Sequence, residues 1–422
     1  MSEKIAVIGA GISGLAAAYL LHQSGKQVTL FEKNARIGGH AHTNEVRFGE
    51  HTVPVDTGFI VFNDRNYPNL VKLFKHLDVA SEASDMSFAV SLDNGAFEYA
   101  TAPLDALFAQ RRHLLTPKFY KMLWHIIKFH EEAPDAASDP ANENLTVGEF
   151  LKREGYHDWT IQRHFVPMGA AIWSTPAQQM LEFPLLTFVR FCQNHGLIQI
   201  KGRPQWRTVT GGSRSYVAKL VKALDGRITA SACVNGITRR EGGVTVHRDG
   251  GVPDENFDAV LLATHADEAF ALLRNPSDDE RAVLGVFRTT ANTVVLHSDA
   301  ALMPRRRKVW SAWNYLGNSD GSNRNVSLTY WMNRLQNIPP QFPLYVTVNP
   351  GAQPKAELTH ATHHYTHPQY TMASFRAQQE LYKIQGKERV WYAGAYFSYG
   401  FHEDGLTSGM NAARGLGAVI GF

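Results

Sequence analysis

Ile5-Ala6-Val7-Ile8-Gly9-Ala10-Gly11-Ile12-Ser13-Gly14-Leu15, followed by Val28-Thr29-Leu30-Phe31-Glu32, is the stretch whose reading decides the fold. The apolar run before Gly9 reads as a buried strand, and the alanine-rich run after Gly14 as a helix. The Gly9-x-Gly11-x-x-Gly14 turn joins them. Each glycine has its own physical task. Gly9 makes the tight turn, Gly11 lets a pyrophosphate approach the backbone, and Gly14 lets helix and strand pack closely. The helix N-terminus, with Ile12 and Ser13 in its first turn, then faces the phosphates. Glu32 ends the second strand, where it can accept from a ribose hydroxyl. A glycine triplet alone is often a packing turn. Strand, turn, helix and acid in this order point to a dinucleotide site.

The 422 residues are 44% hydrophobic and 19% charged, with a net charge of +3. That is enough chain for two domains with their own cores, and nothing in the charge asks for nucleic acid. Cys192 and Cys233 are the only cysteines, too few for a disulfide framework or a thiolate metal cage. A reducing cytoplasm fits, as does a peripheral position on the inner face of the membrane. Lys4 and the apolar run after it imitate a signal peptide, but the glycine spacing argues against that. No stretch holds 18 uncharged apolar residues, so no spanning helix is expected.

Glu32 is followed by Lys33-Asn34-Ala35-Arg36-Ile37-Gly38-Gly39-His40. This resembles the E-x-x-x-R-x-G-G extension of the flavin amine oxidase and phytoene desaturase superfamily. The resemblance implies FAD, with Lys33, Arg36, Gly38 and Gly39 around its phosphates. His40 stands where many relatives carry Arg. Val55-Asp56-Thr57-Gly58-Phe59 resembles the segment that passes near the flavin, implying contacts from Thr57, Gly58 and Phe59. Further pieces follow in the family's order. They are the double glycine Thr210-Gly211-Gly212-Ser213, the adenine-side strand at Val234, and Ala259 to Ala263-Thr264. Last come Arg389 to Gly394-Ala395 and the helix-like Gly405-Leu406-Thr407 to Arg414.

These pieces imply an α/β fold: a Rossmann-like FAD-binding domain with an interleaved α+β substrate domain containing an antiparallel sheet and helices. The expected FAD-binding parts are 1–75, 205–285 and 385–422. The substrate domain takes 76–204, largely helical, and 286–384, mostly sheet. Within it, Met86–Leu92 and Ala96–Tyr99 read as a hairpin with Asn94-Gly95 as a two-residue primed turn. Pro117 is expected to start a helix, and Ala133–Glu143 to be a loop. Strands are expected at Asn292–His297, Lys308–Tyr315, Val326–Trp331 and Leu344–Val348.

The segment Gly394 to Leu406 carries most of the candidate chemistry. A helix starting near Leu406 would aim free amides at the flavin edge that becomes negative on reduction. Relatives often carry an acid after the glycine, where this chain has Ala395. His402, Glu403 and Tyr399 are the catalytic candidates, although none is a compelling general base. A flavin that takes hydride directly needs none. His360-x-x-His363-His364-x-x-His367 would share one face of a helix and invites a metal reading. Pro368 follows, no Cys or acid completes the set, and no metal is expected.

Residues 104–130 mix Leu104, Leu107, Phe108, Leu114, Leu115, Phe119, Met122, Leu123, Trp124, Ile126, Ile127 and Phe129 with Arg111, Arg112, Lys118, Lys121 and Lys128. They read either as an ordinary core-covering helix pair or as a surface for an anionic membrane. Arg305-Arg306-Arg307-Lys308 is a second basic run, a solvated turn or a phosphate-facing patch. Trp173, Phe183, Phe188, Phe191, Trp206, Trp310, Trp313 and Trp331 are candidates for an apolar chamber.

A narrower resemblance rests on Met303-Pro304-Arg305-Arg306-Arg307, on Trp310 to Tyr315, and on Phe401 to Leu406. It is to bacterial flavoproteins associated with cyclopropane-fatty-acid-synthase-type lipid modification. It implies oxidation or desaturation of a fatty acyl chain of membrane lipid, with lipid-modifying enzymes as partners. Rival readings are a polyamine or amino-acid oxidase, and a non-catalytic flavin-bound scaffold.

Overall fold

The computed structural model of the chain describes residues 2–173, 177–198, 202–319 and 327–422. The strand expectation at Val326 and the side chain of Trp173 fall outside the described residues.

A five-stranded parallel sheet lies at the centre of one half, in the order Ile228–Thr229, Gln27–Phe31, Lys4–Ile8, Ala259–Leu262, Val390–Tyr392. Its inner strands are almost continuously apolar and buried, as a sheet covered on both faces requires. The helices Ile12–Gln23 and His402–Gly415 pack against each other on one face. Gly405 and Gly409 make that approach possible. A Cβ at Gly409 would lie 2.3 Å from the Ser13 carbonyl oxygen, and one at Gly405 would lie 3.0 Å from Ser13 Oγ.

The other half is built on a seven-stranded sheet. Its order is Thr359–Pro368, Thr289–His297, Tyr345–Val348, Ser327–Trp331, Trp313–Gly317, Phe88–Leu92, Phe97–Ala100. All pairings are antiparallel except Trp313–Gly317 with Phe88–Leu92. A helical unit packs beside it around Phe129, Phe150, Phe165 and Phe188. Its main helices are Pro117–Ser138, Val147–Arg153 and Leu185–Asn194.

Several local expectations shift. The His360–His367 run is part of a ten-residue strand, not a helix, because it pairs along its length with Thr289–His297. Alternation therefore turns His363, Tyr365 and His367 inward and leaves His360 and His364 exposed. The strand expected from Lys308 begins only at Trp313. Arg307–Val309 is a 3₁₀ turn, braced by Trp310 Nε1 donating to the Pro304 carbonyl at 2.7 Å. The primed turn moves back one residue: Asp93 and Asn94 carry the positive φ values of 51° and 53°, with Gly95 N donating to the Leu92 carbonyl. The helix from Pro117 runs through Pro134 to Ser138 rather than stopping at Ala133. Asn142 Nδ2 and Ser138 Oγ satisfy carbonyls of its last turns.

Of the buried histidines, His113, His164, His195 and His297 have the most displaced imidazoles. Burial pulls the imidazole of His164 down to about 3 and those of His113, His195 and His297 to about 4. Each is neutral in the folded protein but protonates near 6.5 when unfolded, so its stabilisation is full above 6.5 and is lost as pH falls towards 4. Asp56 and Asp404, pushed up by burial to about 6, act in the opposite sense between pH 4 and 6. Four imidazoles outweigh two carboxyls, at about 1.4 kcal/mol for each unit of displacement. Urea unfolding should therefore show stability falling by several kcal/mol between pH 7 and pH 4. An unchanged midpoint over that range would show the imidazoles to be solvated.

Candidate flavin site

The glycine turn sits where the central strand Lys4–Ile8 meets its helix. Gly9 has a φ of +102°, and a Cβ there would lie 2.6 Å from the Ala263 carbonyl oxygen. A Cβ on Gly14 would lie 1.9 Å from the Gly9 oxygen. These two glycines are required by the protein itself. Gly11 differs. Its φ of −76° suits any L-residue, and a Cβ would meet no protein atom within 4 Å. A glycine that neither the backbone nor its neighbours demand is what a phosphate group passing over the turn would require. Gly39, at φ +58°, approaches Gly11 so closely that its Cβ would lie 2.8 Å from the Gly11 Cα.

Glu32 is buried beside this turn and accepts from Ala10 N at 2.9 Å, Asn34 N at 2.9 Å and Asn34 Nδ2 at 3.0 Å. A carboxylate has about four acceptor positions, so one remains for a ribose hydroxyl. Ala232 N donates to the Glu32 carbonyl, which brings Val234 and its strand to the same end. Arg36 is exposed and donates to the carbonyls of Ala41 and Gly39, closing the loop around Gly38. Lys33 pairs with Glu268 at 2.8 Å on the surface. Ala263 and Thr264 follow the strand Ala259–Leu262 directly against Gly9.

The second wall joins His40 to Thr57-Gly58-Phe59. Phe59 N donates to the His40 carbonyl at 2.8 Å, and a Cβ on Gly58 would lie 2.0 Å from that oxygen. Thr57 Oγ1 lies 2.9 Å from Tyr365 Oη. His40 has two imidazole neighbours, His265 and His367, with ring centres 5.8 Å and 5.6 Å away. Its Nε2 is buried without a partner. Burial, with His367 and His265 adding to it, holds the His40 imidazole well below its usual range, and burial takes His367 down to about 4. These rings are therefore neutral near pH 7. His40 lies deep in the molecule but keeps a partly open surface, as a side chain lining a binding cradle does.

The third wall is Gly394–Thr407. The helix His402–Gly415 starts one turn before the position expected near Leu406, because the Asp404 carboxylate caps it by accepting from Phe401 N and Tyr399 N. The free amides therefore belong to His402, Glu403 and Asp404, while Gly405 N already bonds the Phe401 carbonyl. Gly394 N donates to Ser408 Oγ at 2.9 Å, and Ala395 begins a short 3₁₀ turn. His402 stacks on Phe59 at 3.9 Å and places Nε2 2.7 Å from Tyr216 Oη. Burial takes its imidazole down to about 3. Glu403 points the other way. Its two oxygens accept from Asn69 N and Leu70 N, both at 2.9 Å, at the start of helix Pro68–His76. Thr407 accepts from Asn69 Nδ2 beside it. Tyr399 and Phe401 face the helical unit, where Phe401 stacks on Phe191 at 4.7 Å.

Two groups of residues escaped the sequence reading. The convergence of His265 and His367 on His40 depends on strand pairing far along the chain. The Asp56 network depends on three distant segments; a lone acid between Val55 and Thr57 was its only signal. Among the described residues no cluster of three or more His, Cys, Asp or Glu is arranged to hold a metal.

The profile of the family described as flavin containing amine oxidoreductase matches residues 12–340. The 15-cis-phytoene desaturase of Narcissus pseudonarcissus is 27% identical over 208 residues, covering 46% of this chain and 35% of that protein. The chain spans between 35% and 56% of the length of the first curated relatives it matches. Cyclohexylamine oxidase from Brevibacterium oxydans superposes with a TM-score of 0.72 at 18% identity, covering 99% of both chains. A CLA-producing fatty acid isomerase from P. acnes superposes with a TM-score of 0.66 at 15% identity, covering 98% of both. At these identities the structural likenesses establish the fold.

Gly11→Val is expected to fold with an unchanged melting curve and to emerge without flavin, since only the ligand needs that space. Glu32→Ala should weaken FAD by about 1–3 kcal/mol through loss of a charged hydrogen bond. A yellow Gly11→Val protein would place the pyrophosphate elsewhere.

Proposed function

The chain belongs to the flavin containing amine oxidoreductase family and is an FAD-dependent oxidoreductase; from that premise we propose that it oxidises or desaturates a long apolar substrate, a fatty acyl chain of membrane lipid. One observation carries this reading. Both carboxylates of the loop Gly394–Thr407 are already committed to backbone amides, Glu403 at Asn69 and Leu70 and Asp404 at Tyr399 and Phe401. The imidazoles beside them are held neutral. What the loop offers a substrate is aromatic: Tyr399 and Phe401, backed by Phe191, with Tyr370 packed on the same cluster. An ammonium group finds no uncommitted carboxylate in that loop. An alkyl chain needs none.

FAD, when bound, would supply the two-electron acceptance that oxidation of a saturated carbon pair to a double bond requires. The protein's residues do the rest. Glu32, Gly11 and the Arg36 loop hold the nucleotide end. The amides of His402 to Asp404 present a partial positive charge to the flavin edge. His402, fixed between Phe59 and Tyr216, and the ring of Tyr399 shape the reacting end and exclude water. Glu403 acts on the flavin loop only through the helix it anchors.

Anaerobic mixing of the purified, flavin-loaded protein with detergent-dispersed phospholipid, and separately with a panel of polyamines and amino acids, tests this. The lipid should bleach the oxidised flavin band and yield an unsaturated acyl product. Reduction by an amine with none by lipid would move the protein to the amine oxidase reading. No reduction by either would leave a non-catalytic flavin-bound scaffold.

A further inference from the structure

The structure brings together two basic stretches that lie almost 200 residues apart. The tip of the Phe88–Ala100 hairpin touches both. Arg305 packs its side chain over Gly95 and donates to Asn94 Oδ1 at 3.1 Å, while Arg112 donates to the Ala96 carbonyl. Arg111 and Lys308 both pair with Asp105, two cations on one carboxylate. Arg306 is matched to buried Glu98. An open depression of about 510 Å³ lies between these groups, lined by Asp93–Ala96, Arg305 and Arg306. With Arg112, Lys118 and Lys121 also exposed, the face keeps an excess of positive charge.

The same region holds most of the chain's exposed large apolar side chains. Of nine among the described residues, six fall between 104 and 127: Leu104, Leu114, Leu115, Tyr120, Trp124 and Ile127. Leu104 is 74% exposed and Leu115 88%. Tyr120, Trp124 and Ile127 stand at i, i+4 and i+7 on the outer face of helix Pro117–Ser138, whose Phe119, Met122 and Phe129 face the core. Tyr120 Oη donates to the Leu114 carbonyl and holds the stripe against the Arg111–Leu115 turn. So large an apolar surface is unusual on a protein that leaves it in water.

We propose that residues 104–127 and Arg305–Lys308 form one docking face that seats on the anionic headgroups of a phospholipid bilayer, with Leu104, Leu115 and Trp124 among the upper acyl carbons. The pattern is that of a helix lying in the interface: an apolar stripe beside basic residues. Its charge selects an anionic surface over a neutral one. None of the described helices is long and apolar enough to cross a membrane, so the contact is peripheral. The docking stands on the surface alone, whatever reaction the flavin performs.

The test is co-sedimentation of the flavin-loaded protein with vesicles of phosphatidylcholine, with and without phosphatidylglycerol. The wild type should bind the anionic vesicles at low salt and release as salt is raised, since screening shortens the reach of its charges. Replacing Arg111, Arg112, Lys118 and Lys121 together with Gln should weaken binding by roughly a hundredfold or more. Leu115→Ser with Trp124→Ser should weaken it too, and the remaining binding should become wholly salt-sensitive. Each variant should keep the wild-type flavin spectrum and melting curve. Tyr382→Ser, which removes an exposed ring far along the chain from residues 104–127, should change nothing. Brominated acyl chains should quench wild-type fluorescence more than that of Trp124→Phe. A wild type that ignores anionic vesicles at low salt, or variants that bind as it does, overturns the proposal and leaves the face to a protein partner. Turnover on detergent-dispersed lipid is scored separately, so loss of that activity with docking intact strikes the substrate reading alone.

Discussion

Asp56 is the buried carboxylate on which the joining of the two halves depends. Its side chain accepts from Ser213 N and Oγ, Thr43 Oγ1 and Gln336 Nε2, at 2.6 to 3.0 Å, while its own amide donates to Gln336 Oε1. Thr43 opens the hairpin after the glycine loop, Ser213 precedes helix Arg214–Ala223, and Gln336 follows the strand Ser327–Trp331 of the large sheet. One acid therefore clamps three segments drawn from across the chain. Burial pushes its carboxyl up, and the surrounding donors pull it back. Removing it would leave Ser213 N and Gln336 Nε2 buried without an acceptor, a cost of about 1–3 kcal/mol for each group. The next residues, Thr57 to Phe59, form one wall of the candidate flavin site, so the clamp fixes their position relative to both sheets.

The flavin loop is held by the same means. Glu403 and Asp404 are adjacent in sequence, yet they brace two different elements, the start of helix Pro68–His76 and the Tyr399–Phe401 turn. Each satisfies amides that helix ends and turns leave open. Ser408 adds a bond to Gly394 from the next turn of the helix. The packing glycines Gly405 and Gly409 then bring this helix down onto Ser13. The loop is thus positioned against the nucleotide turn by close backbone approach, and its carboxylates act as struts.

What could be read in the sequence follows from how local each constraint is. Gly9 and Gly14 were legible because turn and packing are set within six residues. Glu32 was legible because a strand end lies beside its own turn. Pro117 marked a helix start because its fixed φ and missing amide act locally. The helix start at His402 was hidden by Asp404, whose cap is recognisable only once the turn before it is known. The histidine run looked helical by spacing alone. Its pairing with Thr289–His297 overrode that and turned alternate imidazoles towards His40. Arg112 and Arg305 read as two separate basic runs, because only the hairpin tip between them brings them together.

The helical unit then has two differently prepared sides. Its inner edge, Phe191 with Tyr370, Tyr399 and Phe401, is packed onto the flavin loop. Its outer helix carries Tyr120, Trp124 and Ile127 into solvent among basic residues. Helix Pro117–Ser138 packs on helix Leu185–Asn194, so two helix diameters, roughly 20 Å, separate the sides. The core between them sets the rings of Phe129, Phe150, Phe165 and Phe188 among aliphatic side chains. Large flat rings fill that layer with few polar atoms to satisfy. Because those four rings are almost wholly buried, the layer is a close-packed wedge that fixes the distance between the flavin loop and the outer helix.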